Sequence, residues 1–302
     1  MTKQVLTKIV QRHMDLNSTR LNYLCMQQGI AQKSKPLLIL LHGFPENAWT
    51  WERYLLSLCD DYEVIALDLP GYNFSSGFMR DEQYNLHTLV ETLAEATDAL
   101  VEQYAPGTKA HLVAHDWGGV IAWPLAAFYG TKFACLTILN AAHPSTFTRE
   151  MANNPKQQAS SDYIADLISD HAFDVVSQDD FRMLKRLYGG WYSKLSEEQQ
   201  SHFEAQWADK HSMQQAFNYY KNMPQLVTKR VKQNLTLKIP DIRIDIPTQV
   251  LWGMKDTAFV PEVLNGMEDW VKDLHLHRFK DADHWLHHQK SEAVMQYIRA
   301  FH

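Results

Sequence analysis

The stretch His111-Leu112-Val113-Ala114-His115-Asp116-Trp117-Gly118-Gly119-Val120-Ile121-Ala122-Trp123 decides how this chain is read. An apolar run ends at Ala114, and a helical pattern begins directly after the following turn. Ala114 and Gly118 are small, as they must be where a strand and a helix approach closely around a strained turn. Asp116 stands at the crest of that turn, where a nucleophile would be presented. A carboxylate attacks carbon directly and forms an ester with the enzyme, so the expected chemistry is alkyl transfer and not the acyl transfer of a serine. The competing reading is an Asp that merely caps a helix beside glycines. The rest of the chain must decide between them.

With 302 residues, the chain is long enough for one large α/β domain carrying an inserted subdomain. Its 45% hydrophobic and 21% charged residues are ordinary for a globular protein, and a net charge of −6 gives no reason to expect nucleic acid or an anionic membrane as partner. The N-terminus is polar without an apolar signal region, and no run of about 18 apolar residues occurs. Cys25, Cys59 and Cys135 have no paired spacing and read as free thiols of a reducing compartment, so a cytoplasmic location is expected.

Two alternating stretches, Val5–Arg12 and Arg20–Met26, flank a turn at Leu16–Thr19 and predict an antiparallel pair. Short apolar runs follow at Pro36–Leu41, Tyr62–Leu67, His111–Ala114 and Ala134–Asn140, then at Pro247–Trp252 and Leu274–Phe279. They read as strands buried on both faces of a parallel sheet. The region 144–235 between the fourth and fifth runs is polar, helical in period and without a convincing strand. The expected organisation is an α/β core over 1–143 and 236–302 with a helical insertion over 144–235.

In open parallel sheets, ligands bind beyond the carboxyl ends of the strands. His42-Gly43-Phe44-Pro45-Glu46 follows the first buried run; Pro45 has no N–H, which makes Phe44 the candidate oxyanion donor, with Trp117 as the second. Asp256 follows the fifth run, and His284 follows the sixth, in Asp281-Ala282-Asp283-His284-Trp285. His284 has the intrinsic proton affinity to activate water, and Asp256 would orient its ring, with Asp281 and Asp283 as rival acids. His287 and His288 are expected on the surface of the last helix. No partner cluster at a recognised ligand spacing accompanies them in sequence, so neither metal nor organic cofactor is expected.

These motifs together resemble the epoxide hydrolases of the α/β-hydrolase fold, over nearly the full chain. His42–Glu46 is similar to that family's HGxP oxyanion motif, His115–Gly119 to its nucleophile motif and Asp283-His284-Trp285 to its histidine loop. Leu139-Asn140-Ala141-Ala142-His143-Pro144 is also similar to bacterial members. The resemblance implies a mostly parallel sheet flanked by helices, a helical cap inserted after a core strand, and the chain order nucleophile Asp116, acid Asp256, base His284. It further implies two cap tyrosines that protonate the epoxide oxygen. Phe217-Asn218-Tyr219-Tyr220-Lys221 places Tyr220 in one such position, and Ser161-Asp162-Tyr163-Ile164 places Tyr163 in the other, with Tyr188 and Tyr192 as rivals for the latter. His115 and Trp285, beside the nucleophile and the histidine, are expected at the substrate. Tyr219 should point away from Tyr220, since adjacent helical residues diverge by roughly 100°. Asn73 replaces a frequent glycine, which fits a positive φ.

The implied reaction forms an ester on Asp116 from a small-molecule epoxide, and water activated by His284 hydrolyses it to a vicinal diol. The alternative is a haloalkane dehalogenase with the same nucleophile, but Phe44 stands where that pattern tends to have asparagine. A binding protein that has lost turnover would show a broken triad, and a serine-type esterase would need serine at 116. Oligomeric state stays open, with a homodimer as the candidate assembly.

Overall fold

Apolar runs too short for helices become strands wherever β-branched and leucine-rich segments can be covered on both faces. In the computed structural model, which describes residues 8–27, 35–226 and 237–301, these strands are β1 (Ile9–Asp15), β2 (Arg20–Met26), β3 (Leu37–Leu41), β4 (Glu63–Leu67), β5 (Ala110–His115), β6 (Phe133–Leu139), β7 (Thr248–Gly253) and β8 (Leu274–Phe279). They form one sheet in the order β1-β2-β4-β3-β5-β6-β7-β8. β1 pairs antiparallel with β2, and β2 with β4, while every pair from β4 to β8 is parallel. The predicted antiparallel pair is present, although Val5–Thr7 lie outside the described residues.

Period-two alternation divides the core between the two faces of the sheet. Leu37, Ile39 and Leu41 of β3 join a cluster with α2 (Leu86–Tyr104) and α3 (Trp117–Tyr129). Leu38 and Leu40 face the opposite way, against α1 (Glu52–Leu58) and the C-terminal helix. α2 starts where Asn85 Oδ1 accepts the Thr88 N–H at 3.0 Å, and it buries Leu89, Leu93, Ala96 and Leu100 at helical spacing. The cysteines are free, and Cys25 and Cys135 are buried.

One strand differs from expectation. β8 was predicted to be covered on both faces, yet none of its residues is fully buried, because it closes the sheet as an edge strand. Its His275, His277 and Arg278 fit that position.

Between β6 and β7 the chain makes helices α4 (Pro144–Asn153), α5 (Pro155–Ser160), α6 (Ile164–Leu167), α7 (Ala172–Val176), α8 (Gln178–Leu187), α9 (Glu197–Ala208) and α10 (Lys210–Lys221), with no strand among the described residues. The expected boundary at 235 lies outside them. The chain then returns to the sheet through β7 and β8 and ends in α11 (Leu286–Gln289) and α12 (Ser291–Ala300). No helix among the described residues is long and apolar enough to cross a membrane.

Candidate active site

Asp116 sits between β5 and α3 at φ 48° and ψ −119°, a conformation an L-residue holds only under constraint. The constraint comes from close backbone approach. A Cβ on Gly118 would lie 2.6 Å from the carbonyl oxygens of Leu41 and His42, and one on Gly43 would collide with the Asp116 side chain. Gly118 N–H donates to the His42 carbonyl at 2.9 Å, which ties the turn to the loop after β3. The Asp116 side chain does not cap α3. Its Oδ1 instead accepts the Phe44 N–H at 2.7 Å, and its Oδ2 faces His284 Nε2 at 3.6 Å. Trp117 is the first residue of α3, where a backbone N–H has no intrahelical acceptor. The Phe44 N–H thus reaches the Asp116 carboxylate, and Trp117 opens the helix directly after it.

His284 Nδ1 lies 2.9 Å from Asp256 Oδ2. Burial alone would lower its proton affinity, but the Asp256 and Asp116 carboxylates outweigh this and hold its pKa well above the usual imidazole value. Neither rival acid reaches the ring. Asp281 bonds Lys290, and Asp283 Oδ1 accepts the Trp285 N–H at 2.9 Å.

Asp256 is itself held by four donors. Oδ1 accepts the backbone N–H groups of Ala258 (2.7 Å) and Phe259 (3.0 Å), and Oδ2 accepts Asn140 Nδ2 at 2.6 Å besides His284. Asn140, at the end of β6 with φ 42°, also accepts the Gly253 N–H at 2.9 Å. Sequence reasoning gave this residue no role. Its signal was an asparagine directly after a buried strand, where a positive φ and a polar partner are both served.

Two cavities of about 170 and 200 Å³ meet at Asp116, Tyr163 and Tyr220. The first is walled mainly by apolar side chains such as Leu86, Val120, Phe147, Ile242 and Phe259. The second reaches His284, Phe44 and Trp285. Tyr220, on α10, packs edge-on to Phe44 and Trp117, with ring centroids 5.4 and 4.9 Å apart. Tyr163 caps α6. Burial raises the pKa of both phenols, Asp116 raises it further, and hydrogen bonds from Tyr220 to Tyr163 and from Trp117 to Tyr220 act the other way. Both stay protonated at neutral pH.

The rivals are engaged elsewhere. Tyr192 donates to Glu204 at 2.7 Å, and Tyr188 stacks on Trp285 with centroids 4.1 Å apart. Tyr219 donates to the Pro70 carbonyl at 2.8 Å, away from the cavity as expected, and Asn73 has the expected positive φ of 49°.

Two expectations need correction. His115 does not reach the cavities: it is 0% exposed, and its Nε2 lies 2.9 Å from the His284 carbonyl oxygen. As the last residue of β5 it stays beneath the turn that lifts Asp116 out, whereas Trp285 does line the second cavity. His287 and His288 are not surface residues of the last helix. They sit on α11 with side chains 0% and 7% exposed, turned inward onto Glu46.

A family model described as alpha/beta hydrolase fold matches residues 36–291. The chain is 29% identical over 279 residues to the Mus musculus protein named epoxide hydrolase 4, covering 89% of this chain and 74% of that one. Among solved structures it is similar to a mutant of an epoxide hydrolase from Bacillus megaterium, with TM-score 0.83, 28% identity and coverage of 96% of this chain and 99% of that one. A second structure from that organism, complexed with a naphthyloxy-propanediol product, gives TM-score 0.80 at 28% identity, with the same coverage of each chain.

Proposed function

Because this chain belongs to the alpha/beta hydrolase fold family, we propose that it hydrolyses epoxides to vicinal diols through an ester on Asp116. The relatives and solved structures named above carry epoxide hydrolase names, which favours this reading over dehalogenation. The observation that carries the proposal is the shared wall of the two cavities, where a constrained carboxylate faces two protonated phenols. An epoxide's leaving group is an alkoxide tethered to the same molecule, so donors must meet it as its charge develops. Helices α4 to α10, inserted between β6 and β7, act as the cap that supplies them.

The resting site holds Asp116 as carboxylate, the tyrosines protonated and His284 as imidazolium between two carboxylates. Asp116 attacks an epoxide carbon, the C–O bond breaks with its electron pair on oxygen, and a tyrosine hydroxyl gives that oxygen a proton. Ester formation removes the Asp116 charge, so His284 loses half of its anionic support and releases a proton that restores the tyrosine. Neutral His284 then takes a proton from water as the water oxygen bonds to the Asp116 carbonyl carbon. The oxyanion that forms is met by the Phe44 and Trp117 N–H groups. Its collapse returns the carboxylate, and the diol leaves with both hydroxyls protonated. Water's second proton completes the diol, and the first leaves His284 as imidazolium again. The unpaired cysteines favour a reducing compartment, which supports a cytoplasmic location.

A single turnover of styrene oxide in ¹⁸O-water tests the covalent step. The label should enter the Asp116 carboxylate, read by peptide mass spectrometry, before it reaches product. Label appearing in the first-turnover diol with Asp116 unlabelled refutes the mechanism.

A further inference from the structure

A second polar cluster lies behind the active-site wall, in side chains the proposed reaction does not use. Glu46, two residues after Phe44, is fully buried. His287 Nε2 lies 3.0 Å from its Oε2, His288 Nε2 2.6 Å from its Oε1, and Thr50 Oγ1 3.0 Å from Oε2. Thr50 Oγ1 is also 3.1 Å from His287 Nε2 and 3.2 Å from His288 Nε2. Among the described residues, Glu46 has ion-pair contacts with these two imidazoles and with no lysine or arginine. A buried carboxylate needs a compensating cation or a full set of donors to offset its lost hydration.

Ligand-type atoms of four residues thus lie close together. A tetrahedral ion with ligands at roughly 2.0–2.1 Å spaces them about 3.3 Å apart, a few tenths of an ångström beyond most of these separations. The ligand atoms of Glu46, His287 and His288 all lie within 4.8 Å of one another. His287 Nδ1 is buried without a partner among the described residues, so the outer hydrogen bond that usually fixes the tautomer of a metal-bound histidine is not made, and the ring is oriented through its Nε2 contacts with Glu46 and Thr50. Entry is open as well. A solvent-connected cavity of about 350 Å³ is lined by Thr50, His287 and His288. The cations on its rim are engaged elsewhere, Arg53 with Glu292 and Lys194 over the Trp191 ring.

We propose that Glu46, His287 and His288 bind a zinc-class divalent transition ion, with Thr50 Oγ1 or a water from the outer cavity as fourth ligand. Two imidazoles select for such ions over magnesium or calcium, whose sites are built from oxygen. The ion would tie the loop that carries the Phe44 N–H to the segment that follows His284, so its role is structural and the ester chemistry proceeds without it. The metal-free competitor is a network in which both Nε2–H groups donate to Glu46.

The two differ in metal content. The full chain, stripped with chelator, loaded with Zn²⁺ or Co²⁺ and desalted, should retain about one ion per chain by elemental analysis. The Co²⁺ form should show the visible bands of a four-coordinate ion, and Zn²⁺ should raise the Tm. His288→Gln, with circular dichroism checked against the parent, should lower retention at least about tenfold and abolish the Tm rise. Glu46→Gln should do the same if it folds. His275→Gln, an exposed histidine on β8, should retain the ion. Retention far below one ion by the parent chain, or equal retention by His288→Gln, overturns the proposal and leaves the hydrogen-bonded network in its place.

Discussion

Replacing Asp116 with asparagine imitates the charge state of the ester while leaving Asp256 against the ring, so it isolates one of the two carboxylates that hold the proton on His284. The Asp116 Oδ2 to His284 Nε2 distance is 3.6 Å, and the two side chains are only 14% and 9% exposed, so solvent screens the pair weakly. At an effective dielectric constant near 20, opposite unit charges at that distance attract by about 4–5 kcal/mol. Reorganisation and residual water reduce what is realised, and a carboxylate beside a titrating group typically changes its proton affinity on the order of 10- to 1,000-fold. Asp116→Asn should therefore weaken proton binding at His284 by that factor. The proton should still bind, because Asp256 remains 2.9 Å from Nδ1. The assay is a pH titration of the imidazole ¹⁵N signals, with the His284 resonance assigned by its loss in His284→Gln. If proton affinity stays within about twofold of the parent, Asp116 does not support the imidazolium. The alternation of charge between ring opening and ester hydrolysis would then have to be abandoned.

Tyr220→Phe, which keeps the ring packing on Phe44 and Trp117, should slow single-turnover ring opening by roughly 10- to 1,000-fold, the scale of a lost oxyanion donor. Tyr163→Phe should do likewise, and the double variant should be nearly inactive on epoxides; an unimpaired double variant would remove the tyrosines from the mechanism. Asn140→Gly keeps the positive φ but deletes a charge-assisted hydrogen bond to Asp256, worth about 1.5–3 kcal/mol. It should slow ester hydrolysis roughly 10- to 100-fold with ring opening little changed, seen as ester adduct accumulating in the mass spectrum. Gly118→Ala forces a Cβ to within 2.6 Å of two carbonyl oxygens and should cost about 3 kcal/mol by urea denaturation. An unaltered midpoint would mean that the turn is looser than it looks.

Local signals in the chain carried the sheet and the candidate triad. A strand buried on both faces announces itself as a short apolar run, and the residues that follow it in an open parallel sheet face the ligand wherever the sheet lies. Asp116, Asp256 and His284 could therefore be named from position, and Phe44 from the missing N–H of Pro45. Asparagine at 73, where the resembled family often has glycine, signalled its positive φ, because few other side chains tolerate it. What the chain could not announce was which side chains meet across long separations. Asn140 reaches Asp256 over 116 positions and His287 reaches Glu46 over 241. The family resemblance put Tyr163 ahead of Tyr188 and Tyr192, but only the fold shows that Trp285 and Glu204 already engage the latter two. The orientation of His115 turned on a single residue, since the end of a strand stays in the sheet while the next residue is lifted out by the turn. The burial of His287 and His288 likewise depended on α11 folding onto the loop after β3. Periodicity and turn chemistry are written in neighbouring residues, whereas a hydrogen bond between distant segments exists only once packing has fixed the distance between them.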